Sequence, residues 1–226
     1  MIAFISILFV LVLVILFTGR EKGIMTICAG KPQRTNKFEA VPKHDEYIKD
    51  SVAMDFSKYK IGKIYGDSLE KEGVKNGSLV FLSRISRVYL IFNKTRIETL
   101  IKPGSLVVFW NDASRMRKEY PDREVVNGFK IRKVVEYLDV NTSESDLKEI
   151  VKKNMNGQSN EDFEEKIYKK FLFAKDYYNK DGRLIMSLTY RNKGQDKDFS
   201  FHSISFLRGI VKYCTKDPYP TMKQVS

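Results

Sequence analysis

The sequence predicts a mainly β protein of the α+β class, built as a compact antiparallel β-barrel or sandwich with a helical insertion and preceded by one transmembrane helix. Three patterns predict this fold. Short apolar runs punctuated by Gly, Asn and Pro recur from residue 59 to 140, the hydrophobic period becomes helical from 142 to 180, and residues 1–19 carry no charged side chain. With 226 residues, the chain is long enough to bury one main core.

Residues 1–19 are predicted to form a transmembrane anchor. This stretch is apolar from residue 2 to 17 except for Ser6. Nineteen helical residues reach roughly 28 Å, close to the thickness of the hydrocarbon core of a bilayer. A cleaved secretory signal needs a basic start, a shorter apolar core and a small-residue cleavage site, and the residues around Gly19 offer no such site. We therefore interpret the segment as a retained, single-pass anchor.

The chain is basic, with forty Lys and Arg against twenty-eight Asp and Glu and a net charge of +12. Such a charge favours anionic partners, among them anionic lipid headgroups. Nucleic acid is a weaker candidate, because the chain has neither a helix-turn-helix pattern nor an aromatic-basic motif. Basic residues follow the anchor directly, so the positive-inside rule puts the soluble part in the cytoplasm.

Residues 20–58 are predicted to be a tether with one short helix around 44–51, because the stretch is polar and contains Gly and Pro. Residues 59–220 form the predicted β domain, and 221–226 are a tail. The domain has strands predicted over 61–65, 78–82, 87–92, 105–110, 128–137, 183–190 and 199–206. Its helical insertion, about 142–180, is expected to contain two amphipathic helices that break near Asn156 and Gly157.

The two cysteines, Cys28 and Cys214, are far apart in sequence and have no Cys-x-x-Cys or His spacing around them. Zinc sites need such closely spaced ligands. We therefore expect free thiols and no zinc site. No metal or organic cofactor is implied by the rest of the sequence either.

One short segment suggests a chemistry. Gly66, Asp67, Ser68 and Leu69 stand about ten residues ahead of an apolar strand that begins after Gly77. A serine hydroxyl attacks a carbonyl only when a nearby base takes its proton and donors stabilise the oxyanion. The alternative is a plain turn, since Gly permits positive φ and Asp and Ser bond the local backbone.

This spacing resembles the nucleophile segment of the membrane signal peptidases and of the LexA and UmuD self-cleaving proteins, in which Gly-x-Ser-Met precedes a short loop, Gly-Asp and a Val/Ile run. Gly66, Ser68 and Leu69 correspond to Gly, Ser and Met, and Gly77 with Ser78 corresponds to Gly-Asp. The resemblance implies a serine peptidase with Ser68 as nucleophile, a lysine as general base and a protein, peptide or self substrate. Asp67 lies within the range of residues that the family tolerates there.

The expected base position holds an arginine. The family places its lysine on a later strand, between two apolar residues and a basic-Val-Val run, and the direct alignment puts Arg132 there. Arginine stays protonated in proteins, so Arg132 is suited to bind an anion and unsuited to be the base. Lys133 and Lys130 are the remaining candidates. Lys133 points to the face of the strand opposite to Arg132 unless a bulge shifts the register. Lys130 lies on the same face as Arg132, two residues or about 6.6 Å away along the strand.

A weaker match lies near the C-terminus. Signal peptidases have a late box whose serine orients the lysine, and the stretch from residue 204 to 211 keeps its Ser as Ser205, its Gly and its Val. The same stretch is also typical of a strand that ends in a Gly turn. His202 is interpreted as structural, because histidine is often partly buried in protein folds.

Two functions follow. The first is a membrane-anchored serine endopeptidase in which Ser68 attacks and Lys133 or Lys130 acts as base. The alternative is a catalytically inactive, membrane-tethered binding or assembly module of the same fold, which the Arg132 position and the basic surface favour. The side of the membrane stays open, since signal peptidases work on the outer face and the charge pattern indicates the cytoplasm.

Overall fold

Eight strands join in one sheet in the part of the chain that the computed structural model describes, namely residues 25–29, 59–86, 89–90, 94–111, 114, 117–118, 128–178, 182–191 and 196–215. The strands are β1 (Met25–Cys28), β2 (Lys60–Tyr65), β3 (Leu79–Arg84), β4 (Leu106–Trp110), β5 (Phe129–Asp139), β6 (Arg183–Arg191), β7 (Asp196–Ser203) and β8 (Leu207–Cys214). Three α-helices have their bounds in the same residues: α1 (Lys94–Leu100), α2 (Glu144–Asn154) and α3 (Glu161–Tyr178). The predicted mainly β class is confirmed.

The predicted anchor, residues 1–19, the short helix around 44–51 and the tail at 221–226 lie outside the described residues. Among the helices that the structure does describe, none combines the length and the apolar character that crossing a bilayer requires.

The sheet closes into a barrel. Its strands follow the order β1-β2-β3-β8-β4-β5-β6-β7, and β1 also pairs with β5, so that six strands form a ring. The pairs are antiparallel except for the two that β1 makes with β2 and β5. Strands β6 and β7 continue from the far end of β5 as an antiparallel pair outside this ring. The prediction of an antiparallel barrel therefore holds for all but the closing strand.

The closing strand β1 lies in the segment predicted to be a tether, and the tether prediction is wrong there. Its Ile27 is fully buried and pairs with Ile64 of β2 and Phe129 of β5. Gly62 makes the close approach possible, because a Cβ atom at this position would lie 2.2 Å from the Cδ1 atom of Ile27. A four-residue strand in a polar stretch is stabilised by these neighbours rather than by its own pattern.

Two other predictions differ from the structure. The strand predicted over 87–92 is wrong at Tyr89 and Leu90, which are helical. The strand predicted over 199–206 is split, since β7 ends at Ser203, a 3₁₀ turn covers Ile204–Phe206, and β8 then begins. Gly209 therefore lies inside β8 rather than in a closing turn, and a Cβ atom there would be 3.2 Å from the carbonyl oxygen of Ser83.

The helical insertion is confirmed as α2 and α3, separated by a turn in which Asn156 and Gly157 both have positive φ. Ser143 caps α2 by accepting a hydrogen bond from the Asp146 N–H. Buried residues recur at helical spacing on both helices: Leu147 and Val151 on α2, and Ile167, Phe171, Ala174 and Tyr178 on α3. They pack in one core with Phe199 and Phe201 of β7 and with the barrel interior.

A second core covers the other face of the sheet. Successive β4 residues alternate between the two cores, with Val108 in the first and Val107 and Phe109 in the second. Ile97 and Ile101, from α1 and the residue after it, belong to the second core. Because β4 is buried on both faces, its residues are apolar throughout and do not alternate with polar ones. Cys28 and Cys214 are free thiols, as predicted.

Candidate functional site

Ser68 lies in a tight turn between β2 and β3. Gly66 has a φ of 99°, a conformation that favours glycine, and its N–H donates to Asn76 Oδ1 over 3.0 Å. The Asp67 carbonyl accepts from the Glu70 N–H, which starts a 3₁₀ turn over Glu70–Glu72. Ser68 is half-buried and Asp67 is exposed. We name the segment 66–69 the Ser68 turn.

Two contacts fix this turn on the sheet. Leu69 is fully buried in the first core and forms an isolated bridge with Val74. The Ser68 carbonyl accepts a hydrogen bond of 3.0 Å from the Tyr190 N–H of β6. The β5–β6 ladder reaches as far as the pair Lys133 and Leu188, two residues before Tyr190. The Ser68 turn therefore bonds to β6 just beyond the point where the pairing of β6 with β5 ends.

Lys133 reaches the segment after Ser68. Its Nζ atom lies 2.6 Å from Glu72 Oε2, and Tyr190 Oη donates to Glu72 Oε1 over 2.7 Å. Lys133 and Leu188 are direct cross-strand partners and so share a face, and Tyr190 lies two residues further on that same face. We call Glu72, Lys133 and Tyr190 the Glu72 cluster.

The Glu72 cluster is reached without the bulge that the strand pattern required. The β4–β5 register is regular from Trp110 opposite Phe129 to Leu106 opposite Lys133, and the irregularity in β5 lies later, between Val134 and Glu136. Lys133 contacts this region because the 3₁₀ turn after Ser68 lies on the face of β5 that carries it. Of the two candidate lysines, Lys133 is therefore the one that lies near the Ser68 turn, as its contact with Glu72 shows.

The Glu72 carboxylate accepts a hydrogen bond from each of its two partners. Burial alone would raise the pKa of Glu72, but the hydrogen bonds from Lys133 and Tyr190 outweigh it and the pKa lies below its usual value. Burial, then the hydrogen bond and charge of Glu72, raise the pKa of Tyr190 to about 12. Lys133 therefore donates a proton to a full negative charge, and a base must instead offer a lone pair.

Arg132 lies on the other face of β5. It is buried, with 6% of its surface exposed, and its Nη1 atom donates to the carbonyl oxygens of Ala29 at 2.6 Å and Ile131 at 2.7 Å. The Ala29 N–H in turn donates to the Tyr65 carbonyl, next to Gly66. Arg132 thus ties the end of β1 to the start of the Ser68 turn. Burial lowers its pKa to about 10, against the opposing charge of Asp198, so the guanidinium remains a cation at neutral pH.

Polar groups continue across the sheet beside Arg132. Continuing the β5–β6 register by one residue sets Arg132 opposite Thr189, which pairs with Asp198 of β7. Within the part of the chain that the structure describes, Arg132 Nε and Thr189 Oγ1 are buried and have no hydrogen-bond partner. Each such group costs about 1–3 kcal/mol relative to a paired one. Buried polar residues therefore occupy facing positions on β5, β6 and β7.

The other predicted residues lie elsewhere. Lys130 is buried on β5, where it pairs with Cys28 of β1 and Phe109 of β4. Ser205 bonds Ser203 in the 3₁₀ turn after β7. Ser203 pairs with Leu184, six residues before Tyr190 on β6, which separates Ser205 from the Ser68 turn by roughly 20 Å. Ser205 therefore does not orient a base for Ser68.

His202 has a packing role on β7. Its ring stacks on Phe109 with 4.4 Å between the ring centres, and its Nε2 atom lies 3.1 Å from Ser200 Oγ. It pairs with Ile185 near the start of β6. This position lies at the same end of the ladder as Ser203, distant from Ser68.

Sequence reasoning missed Glu72 and Tyr190. Glu72 lies four residues after Ser68, and only the fold shows that it faces Lys133. Tyr190 has no feature in the sequence that distinguishes it from other aromatic residues of a strand. No set of three or more His, Cys, Asp or Glu side chains in the described parts of the chain is arranged to hold a metal ion. The arrangement offers a shaped turn beside cationic groups, with no lone pair directed at Ser68 from Lys133 or Arg132.

Comparisons of this chain with protein families, with curated proteins and with solved structures find no match.

Proposed function

We propose that this chain is a non-hydrolysing, membrane-tethered binding module of the signal-peptidase and LexA type, in which the Ser68 turn receives an extended segment of a partner protein. The observation that carries the proposal is the 2.6 Å ion pair between Lys133 and Glu72. It engages the lysine beside the Ser68 turn as a proton donor. The arginine at the expected base position adds to this, because it stays charged at neutral pH.

The turn itself keeps what a peptide-binding surface needs. It is rigidly fixed by buried Leu69, by Gly66 and by the hydrogen bond from Tyr190, while Ser68 remains half-buried and Asp67 exposed. Rigid elements present backbone groups to a ligand at low entropic cost. A fold that loses the base and keeps this turn is suited to hold a segment without cutting it.

Peptide binding by the full chain in an uncharged detergent tests the proposal. An alanine-rich labelled peptide is titrated with the wild type and with Ser68→Ala, and the peptide is then analysed by mass spectrometry. We expect equal affinities within about twofold and an intact peptide, since the hydroxyl is not used. Cleavage by the wild type that Ser68→Ala abolishes would overturn the proposal in favour of a serine peptidase.

A matched pair of glycine variants locates the binding. Gly66 and Gly104 both have positive φ, at 99° and 91°, and alanine at either position costs about 1–2 kcal/mol. Only Gly66 belongs to the Ser68 turn. Gly66→Ala is expected to weaken peptide binding, and Gly104→Ala is expected to leave it unchanged at a comparable loss of stability.

A gated peptidase is the second candidate, and the position of Lys133 favours it. If a partner withdrew Glu72, Lys133 would lose the carboxylate that accepts its hydrogen bond, and its amine would be free to turn toward Ser68. Glu72→Gln mimics that withdrawal. Labelling of Ser68 by a fluorophosphonate in Glu72→Gln, absent in the double variant Glu72→Gln with Lys133→Met, would establish this function; no labelling in either supports the binding module.

A further inference from the structure

A cleft of about 730 Å³ adjoins the Ser68 turn. It lies between the α2–α3 turn, the first turns of α3 and the start of β7, and its wall includes Lys71 and Tyr190. Tyr190 is shared with the turn, since its N–H holds the Ser68 carbonyl. Lys71 follows Ser68 by three residues, and its Nζ lies 5.6 Å from the centre of the Tyr190 ring. The volume is in the range of ligand pockets.

Three lysines converge on this cleft from three different elements. Lys71 comes from the 3₁₀ turn after Ser68, Lys166 from α3 and Lys197 from β7. None of the three forms an ion pair with a carboxylate among the described residues. Lys197 Nζ donates to the Asn154 carbonyl over 2.6 Å, which leaves further N–H donors on the same ammonium.

The two acids of the cleft do not cancel these charges. Asp198 is paired with Lys170, which lies outside the cleft, over 2.7 Å. Asp196 is the other acid of the wall, and the charge of Lys197 also acts on Glu72, which is itself paired with Lys133. The cleft therefore has an excess of positive charge, which attracts a carboxylate.

The remaining wall fits a peptide better than a compact anion. Apolar surface comes from Met155, Phe163 and the Tyr190 ring, and neutral hydrogen-bonding groups come from Asn156, Gln158, Ser159 and Asn160. Such groups match the methylene stem and backbone of a glutamate-bearing segment. A phosphate would bring up to two negative charges close to Asp196, which repels it more strongly than it repels a single carboxylate.

From this geometry we infer that the cleft binds an acidic side chain of the partner segment that lies on the Ser68 turn. The inference rests on the proposed function and adds its ligand class: a protein segment with glutamate or aspartate close to the residues held at Ser68. Lys71, Lys166 and Lys197 bind the carboxylate, and Tyr190 connects the cleft to the turn.

Two alanine-rich peptides test the inference with the full chain in an uncharged detergent, one with a pair of glutamates and one with glutamines in their place. We expect the glutamate peptide to bind about two- to fivefold more tightly per lysine contact, with a preference that shrinks as salt rises. Lys166→Glu should abolish or reverse the preference. Lys169→Glu is the matched control, because Lys169 is an exposed residue of the same helix that does not line the cleft.

Each outcome decides between the claims. Equal binding of the two peptides, or equal loss of the preference in Lys166→Glu and Lys169→Glu, overturns the acidic-segment cleft while the binding module stands. Displacement of the glutamate peptide by inorganic phosphate at concentrations below those needed for free glutamate also overturns it. Failure of both peptides to bind, or their cleavage, overturns the proposed function itself.

Discussion

Lys133 Nζ and Glu72 Oε2 lie 2.6 Å apart and join the middle of β5 to the 3₁₀ turn that follows Ser68. The two side chains are 61 residues apart in sequence, and the carboxylate also accepts the Tyr190 hydroxyl. Glu72 therefore holds the lysine beside the candidate nucleophile by an ion pair, and it connects the segment after Ser68 to both β5 and β6.

Glu72→Gln should lower the free energy of unfolding by about 1 kcal/mol, because it replaces a charged acceptor of two hydrogen bonds while the pair remains partly exposed to screening water. Denaturant unfolding of the full chain measures it. Glu165→Gln is the control, since Glu165 pairs with Lys169 at the same 2.6 Å but on an open helix surface. Equal effects of the two substitutions would contradict a structural role for the Glu72 cluster.

Tyr190 should lose its proton at a higher pH than an ordinary tyrosine does. Its pKa in the folded protein is about 12, above the unfolded value of about 10, so the folded state keeps a proton that the unfolded state releases. Stability from this group is therefore complete below pH 10 and is lost as the pH rises from about 10 to 12. Spectrophotometric titration of the wild type minus Tyr190→Phe isolates the group. A difference titration centred near pH 10 would contradict the prediction.

Gly62→Ala should open the barrel at its closing strand. The new methyl group would lie 2.2 Å from Ile27 Cδ1, and overpacking of this kind costs about 1–3 kcal/mol. Ile27→Val removes that Cδ1 atom, so the double variant should be less destabilised than the sum of the two single variants. Additive losses of stability in denaturant unfolding would show that β1 does not pack against Gly62.

Arg132→Lys tests whether the arginine at the expected base position is the reason that Ser68 is not a reactive nucleophile. A lysine at this buried position would have its pKa lowered by desolvation, and unlike arginine it then loses its proton near neutral pH. Residue 132 lies on the face of β5 opposite to the Glu72 cluster, so we expect Ser68 to stay unreactive toward a fluorophosphonate in this variant, as in Lys130→Arg. A reaction of Ser68 in Arg132→Lys whose rate rises with pH would show that residue 132 is the base position.

Much of the fold follows from local pattern. Alternation and turn residues locate β2, β4, β5 and β6 to within a few residues, and the spacing of Leu147, Val151, Ile167 and Phe171 locates both inserted helices. Strand β1 could not be predicted, because its stability comes from parallel pairing with β2 and β5, and such neighbours are distant in sequence. Tyr89 and Leu90 are predicted as strand but are helical, and Leu90 packs in the second core with Ile97 of α1.

The candidate site divides in the same way. Period-two alternation correctly puts Arg132 and Lys133 on opposite faces of β5. What alternation cannot show is which face the Ser68 turn covers, because that depends on the 3₁₀ turn at Glu70–Glu72 and on the hydrogen bond from Tyr190. Ser205 matched a family motif in the sequence, but in the fold it lies near Leu184, at the end of β6 distant from Tyr190 and the Ser68 turn.

The central claim is that Ser68 is not an activated nucleophile in this chain. Intact-mass measurement of the wild-type full chain after incubation with a fluorophosphonate tests it most directly, with Ser68→Ala measured in parallel. We predict no adduct on either protein, because Lys133 is bound to Glu72 and Arg132 remains protonated. An adduct on the wild type that is absent from Ser68→Ala would contradict the claim and identify a working serine enzyme.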